Sequence, residues 1–294
     1  MEMCFLGPLG TNSHEVAEKV RSLFEDKKPP YSAYVHTTLV NRLCESNTEV
    51  LLTASNQQCL GVIALENSTA GLVDETKRFW LDRSGGLKRV TNVIGEFHLP
   101  VEHCLLAHPS ITGVSQLTAV MSYPHALAQC RNFLDAHKHL ERIPSASTAA
   151  AAKLVSERPD AVTTGVIASR LAATIYGLKI MQDHIEDSRD NVTRFHILGP
   201  SMVYPTGNDR TAIIFEIPDV SGALVDVLSA IRPGGVNLSS IHSIPLGVED
   251  RFAFYCEFDR HHLDPRGEAI ITRLETLTSR LIVLGSFPQS QKGK

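Results

Sequence analysis

Met3-Cys4-Phe5-Leu6-Gly7-Pro8-Leu9-Gly10-Thr11-Asn12-Ser13 passes from an apolar run, through a turn bounded by glycines, into a helical pattern. Four apolar residues in a row read as a short buried strand. Val16, Val20, Leu23 and Phe24 then recur at helical spacing, which predicts a helix over residues 13–24. The same alternation continues along the first 200 or so residues. Residues 60–65, 86–96, 104–107 and 119–121 read as strands, the last followed by a helix that starts near Pro124. Two alanine-rich helices are expected, one over 146–155 and one over 164–176 beginning near Gly165. Strands alternating with helices predict an α/β fold with largely parallel sheets. Such folds bind ligands at the carboxyl ends of strands.

The pattern changes after Pro205-Thr206-Gly207-Asn208-Asp209, five turn formers without a large apolar member. A strand is expected over 211–217 and a helix over 222–231, with Leu224, Val227, Leu228 and Ile231 on one face. Pro233-Gly234-Gly235 breaks the helix. Strands at 236–244 and 251–258 follow, the second alternating Phe252, Phe254, Cys256 and Phe258. A helix over 267–280 and a strand over 281–287 complete a βαββαβ order, a ferredoxin-like unit of about 80 residues. Residues 289–294 carry no apolar side chain and read as a frayed tail.

The chain has 294 residues, 43% hydrophobic and 20% charged, with a formal net charge of -4. These values are ordinary for a globular protein and show no clustered basic face of the kind nucleic acid needs. No apolar run approaches the roughly 20 residues of a membrane helix. The first residues lack the basic and apolar regions of a signal peptide. The six cysteines, Cys4, Cys44, Cys59, Cys104, Cys130 and Cys256, form no Cys-x-x-Cys pair and lie mostly in apolar segments. Free thiols and a cytoplasmic setting are the expectation.

Several segments carry chemistry. At Gly7–Thr11 the turn precedes a helix that Thr11 or Ser13 can cap, and uncapped amides there favour an anion. Read alone, the segment is a structural turn before it is a site. Glu66-Asn67-Ser68 offers a carboxylate, an amide and a hydroxyl where the chain leaves a strand, and reads equally as an Asx turn ended by Gly71. In Ser122-Tyr123-Pro124-His125-Ala126-Leu127-Ala128-Gln129-Cys130, Ser122 is the expected helix cap, Gln129 falls one to two turns in, and His125 reads as solvent-facing or capping. Ser147-Thr148 opens the first alanine-rich helix. Asp183-His184-Ile185-Glu186-Asp187 has no standard ligand spacing and reads as a solvated acidic loop, and Arg260-His261-His262 as surface. No metal is expected. No Gly-x-Gly-x-x-Gly follows a strand, so a dinucleotide is not expected either. Asn191-Val192-Thr193-Arg194-Phe195 is a polar loop entering an apolar strand, where a hydroxyl and a cation stand side by side.

In order, Gly7–Thr11, Glu66–Ser68, Ser122–Cys130, Ser147-Thr148-Ala149-Ala150, Val166-Ile167-Ala168-Ser169 and Asn191–Phe195 make the chain resemble the prephenate dehydratase family over nearly its whole length. The resemblance implies two α/β lobes, built like a periplasmic binding protein, over residues 1–203, with the active site in the inter-lobe cleft. It implies Thr193, Arg194 and Phe195 as the catalytic motif, with the threonine required for activity. It also implies Thr11, Ser13, Glu66, Asn67, Ser68, Ser122, Gln129, Ser147 and Thr148 as substrate-binding residues, and no cofactor. Residues 210–289 resemble an ACT domain. Gly222, Ala223, Leu224, Val225, Asn237 and Leu238 are then its effector-binding residues, phenylalanine the effector, and a homodimer or homotetramer the assembly. Two departures stand out. Tyr123 and His125 occupy positions where the family usually has His and Gln, and His242-Ser243-Ile244-Pro245 replaces the usual Glu-Ser-Arg-Pro, so effector binding is expected to be weaker, altered or absent. Formation of phenylpyruvate from prephenate is the expected activity. Arogenate dehydration and non-catalytic binding of a small acid are its rivals.

Overall fold

The structure, a computed structural model, describes residues 1–25, 38–57, 59–81, 92–232, 235–247 and 251–290. The first lobe holds β1 (Glu2–Leu6), α1 (Asn12–Glu25), β2 (Val40–Cys44), α2 (Asn47–Gln57), β3 (Leu60–Asn67), β4 (Gly71–Leu72), α3 (Asp74–Leu81) and β5 (Asn92–Pro100). The second holds β6 (Cys104–Ala107), β7 (Ala119–Ser122), α4 (Pro124–Gln129), α5 (Arg131–Ala136), β8 (Glu141–Pro144), α6 (Thr148–Glu157), β9 (Thr164–Ala168), α7 (Arg170–Tyr176) and β10 (Lys179–Gln182). The chain then returns to the first lobe through β11 (Val192–Gly199). The C-terminal unit is β12 (Asp209–Glu216), α8 (Ala223–Ile231), β13 (Leu238–Pro245), β14 (Phe252–Phe258), α9 (Pro265–Leu277) and β15 (Arg280–Pro288). Its order is the βαββαβ expected from the sequence.

The first sheet runs β2-β1-β3-β11-β5, with β4 beside β3, and the second β10-β6-β9-β7-β8. Only part of each is parallel. β11 lies antiparallel between β3 and β5, and β6 antiparallel between β9 and β10. The expectation of largely parallel sheets is corrected for a topological reason: the chain crosses between lobes twice, and each crossing strand runs against the βαβ strands it joins. The strand expected over 86–96 is β5, which runs on to Pro100; residues 86–91 lie outside the described residues. So do Pro233 and Gly234 of the expected break.

The second alanine-rich helix is also corrected. Residues 164–168 are the central strand β9, and only Arg170–Tyr176 is helical. Val166 and Ile167 are wholly buried between neighbouring strands, where branched side chains pack well. Ser169 then caps α7 by accepting from Ala172 N at 3.2 Å, and Gly177 ends it at φ 64°.

Cores follow the layers. Phe5, Val16, Val20, Ile94 and Phe195 pack beneath α1. On the other face of the first sheet, Leu51, Ile63 and Leu198 share one core with Ile214, Tyr255, Leu284 and Phe287 of the C-terminal sheet. The outer face of that sheet buries Phe254, Cys256 and Phe258 with Val227 and Leu274 of its two helices. β14 is therefore buried on both faces, whereas the sequence alternation marked only one. Phe252, at the strand's start, is exposed.

Three surface assignments are corrected as well. Ser290 N donates to Glu96 Oε1 at 3.0 Å and Gln289 N to Asn208 O at 2.9 Å, so these two residues of the expected tail are bonded to the body; residues 291–294 lie outside the described residues. His261 is buried and its Nε2 donates to Val203 O at 2.8 Å, tying the C-terminal unit to the linker. In the acidic loop, Glu186 accepts from His103 N at 2.9 Å, and Asp187 accepts from Arg131 and Asn132 N at the start of α5. These carboxylates cap backbone donors rather than facing only solvent.

Candidate active site

The topology sets the segments singled out in the sequence at the strand ends of the two lobes. Gly7–Thr11 follows β1, Asn67-Ser68 ends β3, and Thr193 begins β11 beside Asn67. In the second lobe Ser122 ends β7, Ser147-Thr148 follows β8 and Ser169 follows β9. All lie at the carboxyl ends of parallel strands, or beside them. The two sets meet where Ser169 Oγ donates to Gly10 O at 3.1 Å and the Tyr176 hydroxyl to Leu9 O at 2.7 Å. Gly10 has φ 87°, and a Cβ there would lie 3.2 Å from Ala172, so glycine is what lets the lobes approach.

Thr193 is almost fully buried, and its Oγ1 accepts a hydrogen bond from Asn67 Nδ2 at 3.0 Å. The Asn67 amide is oriented: its Oδ1 accepts from Thr69 N, Thr69 Oγ1 and Ala70 N, and its Nδ2 donates also to Asn191 Oδ1 at 2.7 Å. That network fixes which end of the amide meets the threonine. Ser68 fastens the loop to the return strand, Oγ accepting from Val192 N at 3.0 Å and Ser68 N donating to Val192 O at 2.9 Å. The Asx turn and the polar site, alternatives from sequence, are thus one structure.

Thr11 caps α1, accepting from His14 N while donating to Leu6 O; Ser13 is buried. Ser147 caps α6 by accepting from Ala150 N at 3.0 Å, and Thr148 begins that helix half-buried. Gln129 Oε1 accepts from His103 Nε2 at 2.8 Å, and Gln129 Nε2 donates to His125 Nε2 at 2.9 Å. Burial holds the His103 imidazole below its usual pKa, against the opposing pull of the Gln129 bond. Ser122 is not the cap of α4. Its hydroxyl is wholly buried and donates to Ile167 O at 2.6 Å, and Tyr123 occupies the cap position.

Glu66, Arg194 and Phe195 are drawn elsewhere. Phe195 is core. Arg194, next to Thr193, points to the opposite face of β11. Its Nη1 donates to Glu257 Oε2 at 2.6 Å and lies 3.3 Å from Glu96 Oε2. Its Nε is 2.9 Å from Glu66 Oε1, a charge contact whose N–H is not aimed at the oxygen. Burial alone lowers the guanidinium pKa; the Glu257 carboxylate, then Tyr255, outweigh it and raise it. The sequence placed this arginine beside the substrate, but its partners are carboxylates.

A cavity of about 540 Å³ lies between α1 and α7, lined by Asn12, Glu15, Leu99, Ser169, Arg170 and others. Thr193 does not line it, though its register partner Leu99 does. In the C-terminal unit, Gly222 precedes α8 at φ 85°, Val225 is exposed, and Asn237 Nδ2 donates to Asp259 Oδ2 at 3.1 Å. Among the described residues, metal-type donors cluster only at Glu2, Cys4 and Cys59, at the start of β1 and away from Thr193; there Cys4 and Cys59 Sγ are hydrogen-bonded at 3.2 Å and Glu2 pairs with Arg42.

The sequence reading missed Asn191 and His103, which orient Asn67 and Gln129. Asn191 opens the Asn191–Phe195 motif, but its role depends on a partner 124 residues away. His103 gave no signal at all.

The sequence model of the prephenate dehydratase family matches residues 3–202. The chain belongs to the prephenate dehydratase family. It is 32% identical, over 292 residues, to the bifunctional chorismate mutase/prephenate dehydratase of Pseudomonas aeruginosa, covering 99% of this chain and 74% of that relative. Among solved structures it is similar to prephenate dehydratase from Arthrobacter aurescens in complex with L-Phe, with a TM-score of 0.79, 25% identity and coverage of 98% and 90%. It is also similar to GqqA, described as a novel type of quorum quenching acylase, with a TM-score of 0.81, 25% identity and coverage of 99% and 98%. No helix among the described residues is long and apolar enough to cross a membrane.

Proposed function

We propose that this chain converts prephenate to phenylpyruvate, with Thr193 as the donor to the departing hydroxyl. One observation carries the assignment of roles. Thr193 Oγ1 accepts from an oriented amide, Asn67, so its own hydrogen is left to donate. Prephenate has two carboxylates and a ring hydroxyl. The bond to the ring carboxylate breaks and its electron pair enters the ring. The C–O bond to the hydroxyl breaks, and with a proton the hydroxyl leaves as water. Carbon dioxide departs and the ring becomes aromatic. A threonine is a poor acid, so its contribution is orientation and charge stabilisation at the leaving oxygen. The N-terminal turns of α1 and α6 supply partial positive charge for the carboxylates. Arg194 is not assigned that work, because Glu66, Glu96 and Glu257 already surround it.

The catalytic region is assigned to residues 1–203 and an ACT-type regulatory domain to 210–289, in a cytoplasmic homodimer or homotetramer of aromatic amino-acid biosynthesis. The βαββαβ order and the solved L-Phe complex of a similar protein support phenylalanine as effector. Gly222, Ala223, Leu224, Val225, Asn237 and Leu238 are the residues assigned to it.

The test is direct. Mixed with prephenate, the protein produces the absorbance of phenylpyruvate; an unchanged spectrum refutes the assignment. Arogenate run in parallel yields phenylalanine instead, and the ratio of rates gives the preferred substrate. Titration calorimetry with phenylalanine reads the effector site, and no heat together with no change in rate retires that part.

A further inference from the structure

Thr193 and Asn67 lie side by side on β11 and β3, and each has an acidic or basic neighbour one residue away. Arg194 follows Thr193 and Glu66 precedes Asn67; Arg194 and Glu66 face each other across the two strands, where the register shifts. That ion pair is held from the C-terminal sheet at both ends. Glu257 on β14 accepts from Arg194 Nη1 at 2.6 Å, and His242 Nε2 on β13 lies 3.5 Å from Glu66 Oε2. The Glu257 side chain is itself fully enclosed: its Oε1 accepts from the Tyr255 hydroxyl and lies 3.6 Å from His196 Nε2. Arg210 on β12 bridges Glu96 and Glu257 at 3.1 and 3.5 Å. His242 and Glu66 are partly exposed, but Arg194, Glu96 and Glu257 are buried and have no bulk water to replace a lost partner.

We propose that Glu257 and His242 are positioning residues for the dehydration, a two-point clamp by which the C-terminal domain sets the spacing of the Thr193 hydroxyl and the Asn67 amide. The inference rests on the prephenate reading above. Its physical basis is that a β-strand transmits displacement from one residue to the next with little slack. A shift of Arg194 moves Thr193 on the opposite face, and an oriented donor moved by a fraction of an ångström loses much of its effect. His242 is notable because it replaces the glutamate expected at that position. A carboxylate there would repel Glu66, whereas the imidazole meets it as a partner. The altered Glu-Ser-Arg-Pro stretch thus serves contact with the catalytic lobe in this chain.

Glu257→Gln in the full chain keeps the shape and removes the charge. The expected result is a loss of about tenfold in kcat with KM within about twofold, since a transition-state contact is misplaced and substrate binding is not. In a Thr193→Ala background the same change is expected to cost nothing further in kcat, because the group being positioned is gone. A merely structural role gives equal factors on both backgrounds. That result, or wild-type kcat in a folded Glu257→Gln, overturns the proposal. Should Glu257→Gln not fold, half-exposed His242→Gln is read the same way. A loss of about threefold that vanishes on the Thr193→Ala background supports the clamp, and wild-type kcat overturns it. Failure of the wild-type protein to turn over prephenate refutes the functional reading instead, and is seen before any variant is made.

Discussion

The strands run β2-β1-β3-β11-β5 in the first lobe and β8-β7-β9-β6-β10 in the second: three parallel strands, then one that opposes them, then one that runs with the first three, in both. The surroundings differ. The second sheet is closed by its own helices, with Ala151, Ala152 and Ala172 on one face and Phe133 and Leu134 on the other. In the first, α1 closes one face, but the other is shared between α2 and the C-terminal sheet. There the protein buries Glu96, Arg194, His196 and Glu257 together. One topology therefore gives a self-contained lobe and a lobe that is finished by another part of the chain. Burying ions is costly and stabilises little compared with apolar packing, whereas removing one partner is severely destabilising. The charged interface is better understood as a device for fixing geometry at β11 than as a source of stability.

The strongest test of this contrast is Thr193→Ala. The proposed donor lies on the shared lobe, and its loss is expected to lower kcat roughly 10²-fold with folding unchanged, as for loss of one oriented donor; single-substrate kinetics and a thermal melt check both halves. Next in size is Gly285→Ala on β15. Its φ is 151°, and a Cβ there would overlap the backbone of Val93 on β5, so a side chain at this point forces the C-terminal sheet off the first lobe. A loss of about 2 kcal/mol is expected in urea denaturation, with kcat falling too if the first lobe depends on that docking. Gly165 in the second sheet is also crowded, but by the flexible ends of Leu117 and Leu105, and its alanine variant should cost less and leave kcat alone.

Acid should act on the buried histidines and on the charged interface in separate windows. Burial would raise the Glu257 carboxyl, but the neighbouring His196 imidazole and the Arg194 charge outweigh it and hold it well below its usual value of 4.5. Its contribution is present above pH 4.5 and is lost as pH falls below that. His103 of the second lobe is held by burial below its usual 6.5, so stability is lost as pH falls from 6.5, when the unfolded chain takes up a proton the folded one refuses. Urea midpoints against pH should show a shallower upper slope in His103→Gln, with His14, His98 and His262, also held low by burial, supplying the remainder, and a shallower lower slope in Glu257→Gln; slopes unchanged by either variant break the comparison. The smallest effect is expected at Ser147→Ala, which removes the α6 cap at a cost of about 1 kcal/mol, read as a lower Tm.

Local signals were legible where one segment sufficed. The apolar run 60–65, the 3.6-residue spacing of Val16 and Val20, and the βαββαβ order after residue 209 lie close to the observed elements, because hydrophobic periodicity is a local property. The run 164–176 misled because alanine suits a helix while Val166 and Ile167 were taken by a sheet interior that sequence does not display. Ser122 looked like a cap because caps are common before proline; its proton instead went to a carbonyl 45 residues away. Arg194 reads as a substrate ligand because it shares the Thr193-Arg194-Phe195 motif with a hydroxyl, while its three carboxylate partners lie far away in sequence.

The amino-acid order by itself determined the α/β alternation, the position of the linker, and the short polar segments that gather at strand ends. It determined them because turn chemistry and side-chain period act over a few residues. Only the tertiary structure decided that two of those polar residues, one apart on β11, serve opposite faces: Thr193 toward Asn67, Arg194 toward the C-terminal domain. Successive side chains on a strand point to opposite sides, and what stands on each side is set by chain distant in sequence.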